Sequence, residues 1–124
     1  MGDLNYLENW NVQLKKSALP YAILLLLSKK KCYGYLIISI IQDCMGFVVT
    51  DGTIYPLLAR FEKIGYVASE WELQEFGVPR KYYSLTTAGR DCLYKIKASW
   101  EDIQIGLSNI ILNYYDFYVF AYTF

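Results

Sequence analysis

The sequence predicts a small, mostly helical α+β domain, and three features of it carry that prediction. Apolar residues recur at helical spacing in three successive segments before Gly65. A stretch of period two, split by a Gly-Pro-containing turn, follows between Val67 and Leu85. Beyond it a single long segment repeats apolar residues at alternating steps of three and four. The 124 residues suffice for one domain and are too few for two ordinary ones.

Leu14 to Ser28 reads as the first helix, apolar on nearly every side in its second half and therefore buried. Pro20 requires that this helix either start near Leu19, with proline in its first turn, or bend. Lys29, Lys30 and Lys31 form a polar connector. The second helix runs from Gly34 to Cys44, with Leu36, Ile37, Ile40 and Ile41 on one face and Gly46 at its end.

Thr50 and Asp51 are capping residues for a third helix that reaches Lys63 and closes at Gly65. Its apolar stripe is Ile54, Leu57, Leu58 and Phe61, at i, i+3, i+4 and i+7. Thr53, Tyr55, Ala59, Arg60 and Lys63 fall on the opposite side. Pro56 is tolerated only near the helix start, where backbone N–H groups lack helical partners.

Val67, Ser69, Trp71 and Leu73 alternate with Ala68, Glu70, Glu72 and Gln74 as a half-buried strand. A turn at Phe76-Gly77-Val78-Pro79 leads to a second strand, Arg80 to Leu85. A long helix then starts at Thr86-Thr87-Ala88-Gly89. Its seam is Leu93, Ile96, Trp100, Ile103, Leu107, Ile110, Tyr114 and Phe117. At 1.5 Å per residue this seam is roughly 35 Å long, more than a compact three-helix body can hide, so a second copy of the chain is its natural cover. Packing against the first helix accounts equally well for its amino-terminal half.

Three helices followed by a two-stranded hairpin is the order of the winged helix-turn-helix arrangement, in which the third helix enters the DNA major groove and the hairpin flanks the backbone, and small α+β domains of other kinds share that order. One structural domain is expected. Residues 1–85 form its winged-helix part, including the first helix, and residues 86–124 its dimerisation helix and an aromatic tail.

Composition narrows the function. The chain contains no histidine, which removes the commonest general base, the Ser-His and Cys-His nucleophile pairs and most zinc sites. An enzyme is disfavoured; the one route left is a low-pKa Cys44 or Cys92. No metal site and no cofactor are expected. Three dispersed cysteines, Cys32, Cys44 and Cys92, fit buried thiols in a reducing cytoplasm. The amino terminus carries Asp3 and Glu8 and reads as no signal peptide, and the longest apolar run, Ala18 to Leu27, is too short to span a bilayer. Twelve basic and twelve acidic residues cancel overall. Residues 15–81 nevertheless hold nine basic against six acidic side chains and form the only positive segment.

Within that frame the chain resembles the PadR family of bacterial transcriptional regulators. The residues that carry the resemblance are Tyr33-Gly34-Tyr35, Gly52-Thr53-Ile54-Tyr55-Pro56 with Leu58, and Arg60-Phe61-Glu62 with Gly65. They continue with Ser69-Glu70-Trp71 and with Pro79-Arg80-Lys81-Tyr82-Tyr83, Leu85-Thr86 and Ala88-Gly89. The short chain with one long last helix is similar to the smaller subgroup, which includes a lactococcal multidrug-binding repressor.

The resemblance implies a cytoplasmic homodimer that binds double-stranded DNA. Its DNA-binding residues would be Tyr33, Thr50, Gly52, Thr53, Tyr55, Arg60 and Lys63, with Arg80 and Lys81 on the wing. Thr50, Thr53 and Tyr55 can donate to phosphate oxygens, and Arg60 can reach phosphate or a guanine edge. Arg80 and Lys81 are neighbours on a strand and point to opposite faces, so only one reaches phosphate directly. Arg80 has a second option, pairing with Glu70 or Glu72 across the hairpin. The dimer interface would be Leu93, Ile96, Trp100, Ile103, Leu107 and Ile110. Trp100 would stack a planar aromatic small molecule at the dimer centre, beside Ile103, Leu14, Ser17 and Ala18. The same residues also suit an ordinary solvated helix and a winged module that binds protein instead of DNA. Two features depart from the family pattern: Pro20, and seven aromatics among residues 114–124.

Overall fold

A computed structural model describes the backbone of residues 2–115 and the side chains of residues 5–113. Helix α1 spans Gly2–Lys29, β1 Cys32–Tyr33, α2 Gly34–Met45, α3 Asp51–Ile64, β2 Val67–Glu72, β3 Arg80–Leu85 and α4 Thr87–Ile110. A π-helical turn, Ile111–Tyr115, ends the described chain. The three strands form one antiparallel sheet in the order β1-β3-β2. The chain divides into two compact units, Met1–Leu93 and Tyr94–Phe124.

The first helix starts well before Leu14 and carries Pro20 in its interior. Pro20 deprives the Lys16 carbonyl of its helical donor, but Lys16 is exposed and water can serve that carbonyl. The second half of α1 is not buried all round. Leu19, Ile23, Leu24 and Leu27 form one buried stripe, whereas Leu25 is exposed.

The core of the first unit is this stripe packed with Ile37, Ile38 and Ile41 of α2, Ile54, Leu58 and Phe61 of α3, and Val67, Tyr83 and Leu93. The α2 face therefore includes Ile38, while Leu36 and Ile40 are only half-buried. Each of these burials contributes about 1.5–3 kcal/mol against leaving the side chain in water.

Gly46 ends α2 in the left-handed conformation at φ 77°, and its N–H donates to the Gln42 carbonyl at 2.9 Å. The Gln42 side chain then accepts from the Val49 N–H at 2.9 Å and fixes the short turn into α3. At the other end of α3, Gly65 adopts φ 97° and donates to the Phe61 carbonyl at 3.0 Å.

The sheet departs from the sequence reading in two places. Cys32-Tyr33, between the lysine connector and the second helix and assigned to neither, pairs with β3. In β2 the apolar half of the alternation fails after Ser69: Trp71 is exposed, and Leu73, 89% exposed, lies beyond the strand. Among the described residues, none buries these two side chains at the turn end of the hairpin.

The seam of α4 is covered unevenly. Leu93 is buried in its own unit, and Ile96 and Trp100 are half-buried. Ile103, Leu107 and Ile110 are 57–66% exposed. After Ile110 the backbone passes into the π-helical turn. The Tyr114 side chain, Phe117 and the rest of the aromatic tail lie outside the described residues. Of the cysteines only Cys32 is buried; Cys44 is exposed and Cys92 intermediate.

Candidate nucleic-acid interface

The amino terminus of α3 is built by Thr50. Its backbone is extended, at φ −102° and ψ 158°, and its carbonyl accepts from the N–H groups of Thr53 and Ile54, both at 3.1 Å. Its hydroxyl does not cap a backbone N–H; it meets the Thr53 hydroxyl at 3.2 Å. Asp51 in the first turn suits the positive end of the helix dipole.

Burial of Ile54, Leu58 and Phe61 turns the opposite side of α3 outward, and Gly52, Thr53, Tyr55, Arg60 and Lys63 are all exposed. Pro56 lies on this outer side too, where its missing N–H leaves the Gly52 carbonyl to solvent. Gly52, Pro56, Ala59 and Lys63 run along the middle of the face, with Thr53 and Arg60 on one flank and Tyr55 on the other. The Tyr55 ring is laid against the backbone of Gly34 at the start of α2.

Tyr55 thereby reaches the wing. It lines a hollow of about 390 Å³ with Tyr33, Gly34, Tyr35, Trp71, Arg80, Lys81 and Tyr83. Of the predicted DNA-binding residues, Tyr33, Tyr55, Arg80 and Lys81 come together here. Thr50, Gly52 and Thr53 stand at the head of α3, and Arg60 and Lys63 on its later turns, outside the lining. Gly34, Tyr35, Trp71 and Tyr83 complete the lining without having been among the predicted DNA-binding residues.

Arg80 and Lys81 do diverge. The Arg80 guanidinium lies 4.4 Å from the ring centre of Tyr33, and among the described residues no carboxylate pairs with it. Lys81 lies 3.7 Å from a carboxylate oxygen of Glu62 on α3 and 5.6 Å from the Tyr83 ring. Glu62 also accepts a hydrogen bond from the Ser69 hydroxyl. Glu72 pairs not with Arg80 but with Lys31, and that carboxylate raises the Lys31 pKa. Burial pushes the Tyr83 hydroxyl up, with the Glu62 carboxylate adding to the effect.

Besides the Glu62 contacts, Thr86 ties the end of the wing to α3. Its hydroxyl donates to the Gly65 carbonyl at 2.6 Å and accepts from the Gly89 N–H at 3.0 Å. Its own N–H donates to the Tyr66 carbonyl at 3.1 Å. The end of α3, the end of β3 and the start of α4 thus share one junction.

The residues predicted to take a planar ligand fall in both units. On α1, Leu14 and Ser17 are exposed and Ala18 is half-buried; on α4, Trp100 is half-buried and Ile103 is exposed.

A short-turn helix pair with its second helix turned outward, flanked by a hairpin with cations at the strand end next to its turn, defines a winged-helix DNA-binding domain. The comparisons agree. The model of the PadR-like family of transcriptional regulators matches residues 23–95, and the chain belongs to that family. A PadR-like transcription factor from Bacteroides fragilis is 36% identical, with a TM-score of 0.70 over 82% of this chain and 98% of that one. A PadR-family regulator from Eggerthella lenta is 29% identical, with a TM-score of 0.74 over 92% and 96%. One from Bacillus cereus is 30% identical, with a TM-score of 0.73 over 82% and 98%. No curated protein matches the chain. Among the described residues, no helix is long and apolar enough to cross a membrane.

Proposed function

We propose that this transcriptional regulator is a repressor that acts in the bacterial cytoplasm as a homodimer on a pseudo-palindromic operator. Its contacts are Thr50, Thr53, Tyr55, Arg60 and Lys63 on α3 and Arg80 and Lys81 on the wing. The observation that carries this reading is the outward face of α3: its polar and basic side chains are all exposed while Ile54, Leu58 and Phe61 of its apolar stripe are buried and Leu57 is half-buried. The exposed seam residues Ile103, Leu107 and Ile110 support the dimer, since a second copy offers the same apolar surface. Two reading helices then address half-sites about 34–36 Å apart. The surplus of basic charge is small, so binding to arbitrary DNA is weak and its salt dependence shallow.

A planar aromatic effector, stacked on Trp100 with Ile103 beside it where two copies meet, would release the operator by binding better to one spacing of the reading helices than to the other. Titration of the purified protein onto the promoter fragment it protects, read by mobility shift, tests the core of this reading. Arg60→Ala weakens binding about tenfold or more while dimerisation is kept. Equal affinity of the variant removes α3 from the interface, and failure of the unmodified protein to shift any duplex at low salt leaves a protein-interaction module. Equal dye binding by Trp100→Ala removes the effector.

A further inference from the structure

The strand register places Glu72 directly opposite Arg80, and cross-strand neighbours of opposite charge pair by default. They do not pair here. Glu72 is held by Lys31, the residue just before β1. Lys31 also lies 5.3 Å from the Tyr82 ring, Tyr82 meets Tyr33 edge-on at 5.5 Å, and Tyr33 carries the Arg80 guanidinium at 4.4 Å. All five side chains stand on one face of the sheet, because Tyr33 opposes Tyr82 and Glu72 opposes Arg80 in the ladder. Glu72, Lys31, Tyr82, Tyr33 and Arg80 therefore form one continuous chain of charge and aromatic contacts. The two-residue strand β1 is what brings Lys31 and Tyr33 into it.

The Lys31–Glu72 pair is half in solvent and adds little to stability. Its larger consequence is what it prevents. An arginine bonded to a carboxylate offers phosphate neither its charge nor its planar donor edge until that bond is broken, whereas one stacked on an aromatic ring keeps both.

We propose that Lys31 and Tyr33 are positioning residues for the wing: Lys31 keeps Glu72 away from Arg80, and Tyr33 holds the freed guanidinium in place for a DNA phosphate. The proposal rests on the DNA-binding reading above. It assigns Lys31 a role that the third-helix contacts do not supply, and it makes Tyr33 a support for Arg80 instead of a contact.

The test uses the full chain and mixed-sequence duplex DNA at low salt, with affinity read by fluorescence anisotropy. Lys31→Met weakens binding about tenfold, because Glu72 turns to Arg80. Adding Glu72→Gln to that variant restores affinity to within about twofold. Tyr33→Phe keeps the stack and the affinity, and Tyr33→Leu loses both. If Lys31 itself grips phosphate, the double variant stays weak and the slope of affinity against salt falls by about one, and the proposal is overturned. Loss of affinity in Tyr33→Phe overturns the role given to Tyr33. A failure confined to these variants, with unmodified protein binding and Arg60→Ala weakened, leaves the DNA-binding reading standing. An unmodified protein that binds no duplex ends both.

Discussion

The ring of Tyr55 lies so close to the Cα of Gly34 that a β-carbon on that glycine would stand 2.6 Å from the ring carbon bearing the hydroxyl. Gly34 opens α2 and Tyr55 sits on the outer flank of α3, so this contact sets how α3 presents that flank. A side chain at residue 34 would evict the ring from the hollow it shares with Arg80.

Gly34→Ala and Gly89→Ala are therefore expected to differ in kind. At Gly34 the obstacle is a partly exposed ring that can swing outward, so the variant loses about 1 kcal/mol of stability but binds DNA more weakly. At Gly89 the obstacle is backbone: an added β-carbon overlaps the Tyr66 carbonyl, with its carbon 2.9 Å away. That variant loses about 3 kcal/mol. Urea unfolding and a mobility shift on both proteins separate the two; similar unfolding losses would contradict this account.

A charge placed on the seam of α4 should divide the proposed dimer. Leu107 is 57% exposed among the described residues. Leu107→Glu, which leaves two carboxylates facing each other across an apolar joint, raises the dissociation constant of the dimer by at least about tenfold. Sedimentation velocity at micromolar concentration reads this directly, and operator binding falls with it. A variant that remains dimeric would place the joint elsewhere.

The thiols should react in order of exposure. Cys44 is exposed and reacts first with Ellman's reagent, and Cys92, half-buried, follows. Cys32 is fully buried under the sheet with its thiol against the Lys30 carbonyl at 3.7 Å, and reacts only as the protein unfolds. Fast labelling of Cys32 in native buffer would show that β1 opens readily.

Alkali should destabilise the fold. Burial raises the Cys32 pKa above its ordinary 9.0, and burial, then Glu62 and Tyr55, raise that of Tyr83 above 10.0. Both groups lose their protons more easily once unfolded. Their contribution is complete below the ordinary values and disappears as pH climbs through the raised ones. The urea midpoint stays level to about pH 8.5 and then drops, and Tyr83→Phe removes the upper part of the drop. A midpoint level to about pH 11 would show that neither group titrates differently in the two states.

Much of this molecule is legible in its sequence because it depends on residues close together in the chain. The stripe Ile54, Leu58 and Phe61 defines α3 and so determines that Thr53, Arg60 and Lys63 face outward. Thr50 and Gly65 mark its ends, and the strand Arg80–Leu85 was readable to the residue. The motif from Tyr33 to Gly89 was enough to indicate the family that the comparisons then showed. What tertiary structure alone decided concerns residues that meet only after the chain folds back. A two-residue strand has no period to detect, so β1 was invisible until β3 came to pair with it. Trp71 and Leu73 carry a core-like alternation, yet at the turn end of the hairpin both are exposed among the described residues. Glu72 lies opposite one cation and bonds to another, and sequence spacing holds no information on that choice. Charges on a half-solvated surface pair with whichever partner the backbone brings within reach, and here that partner is Lys31.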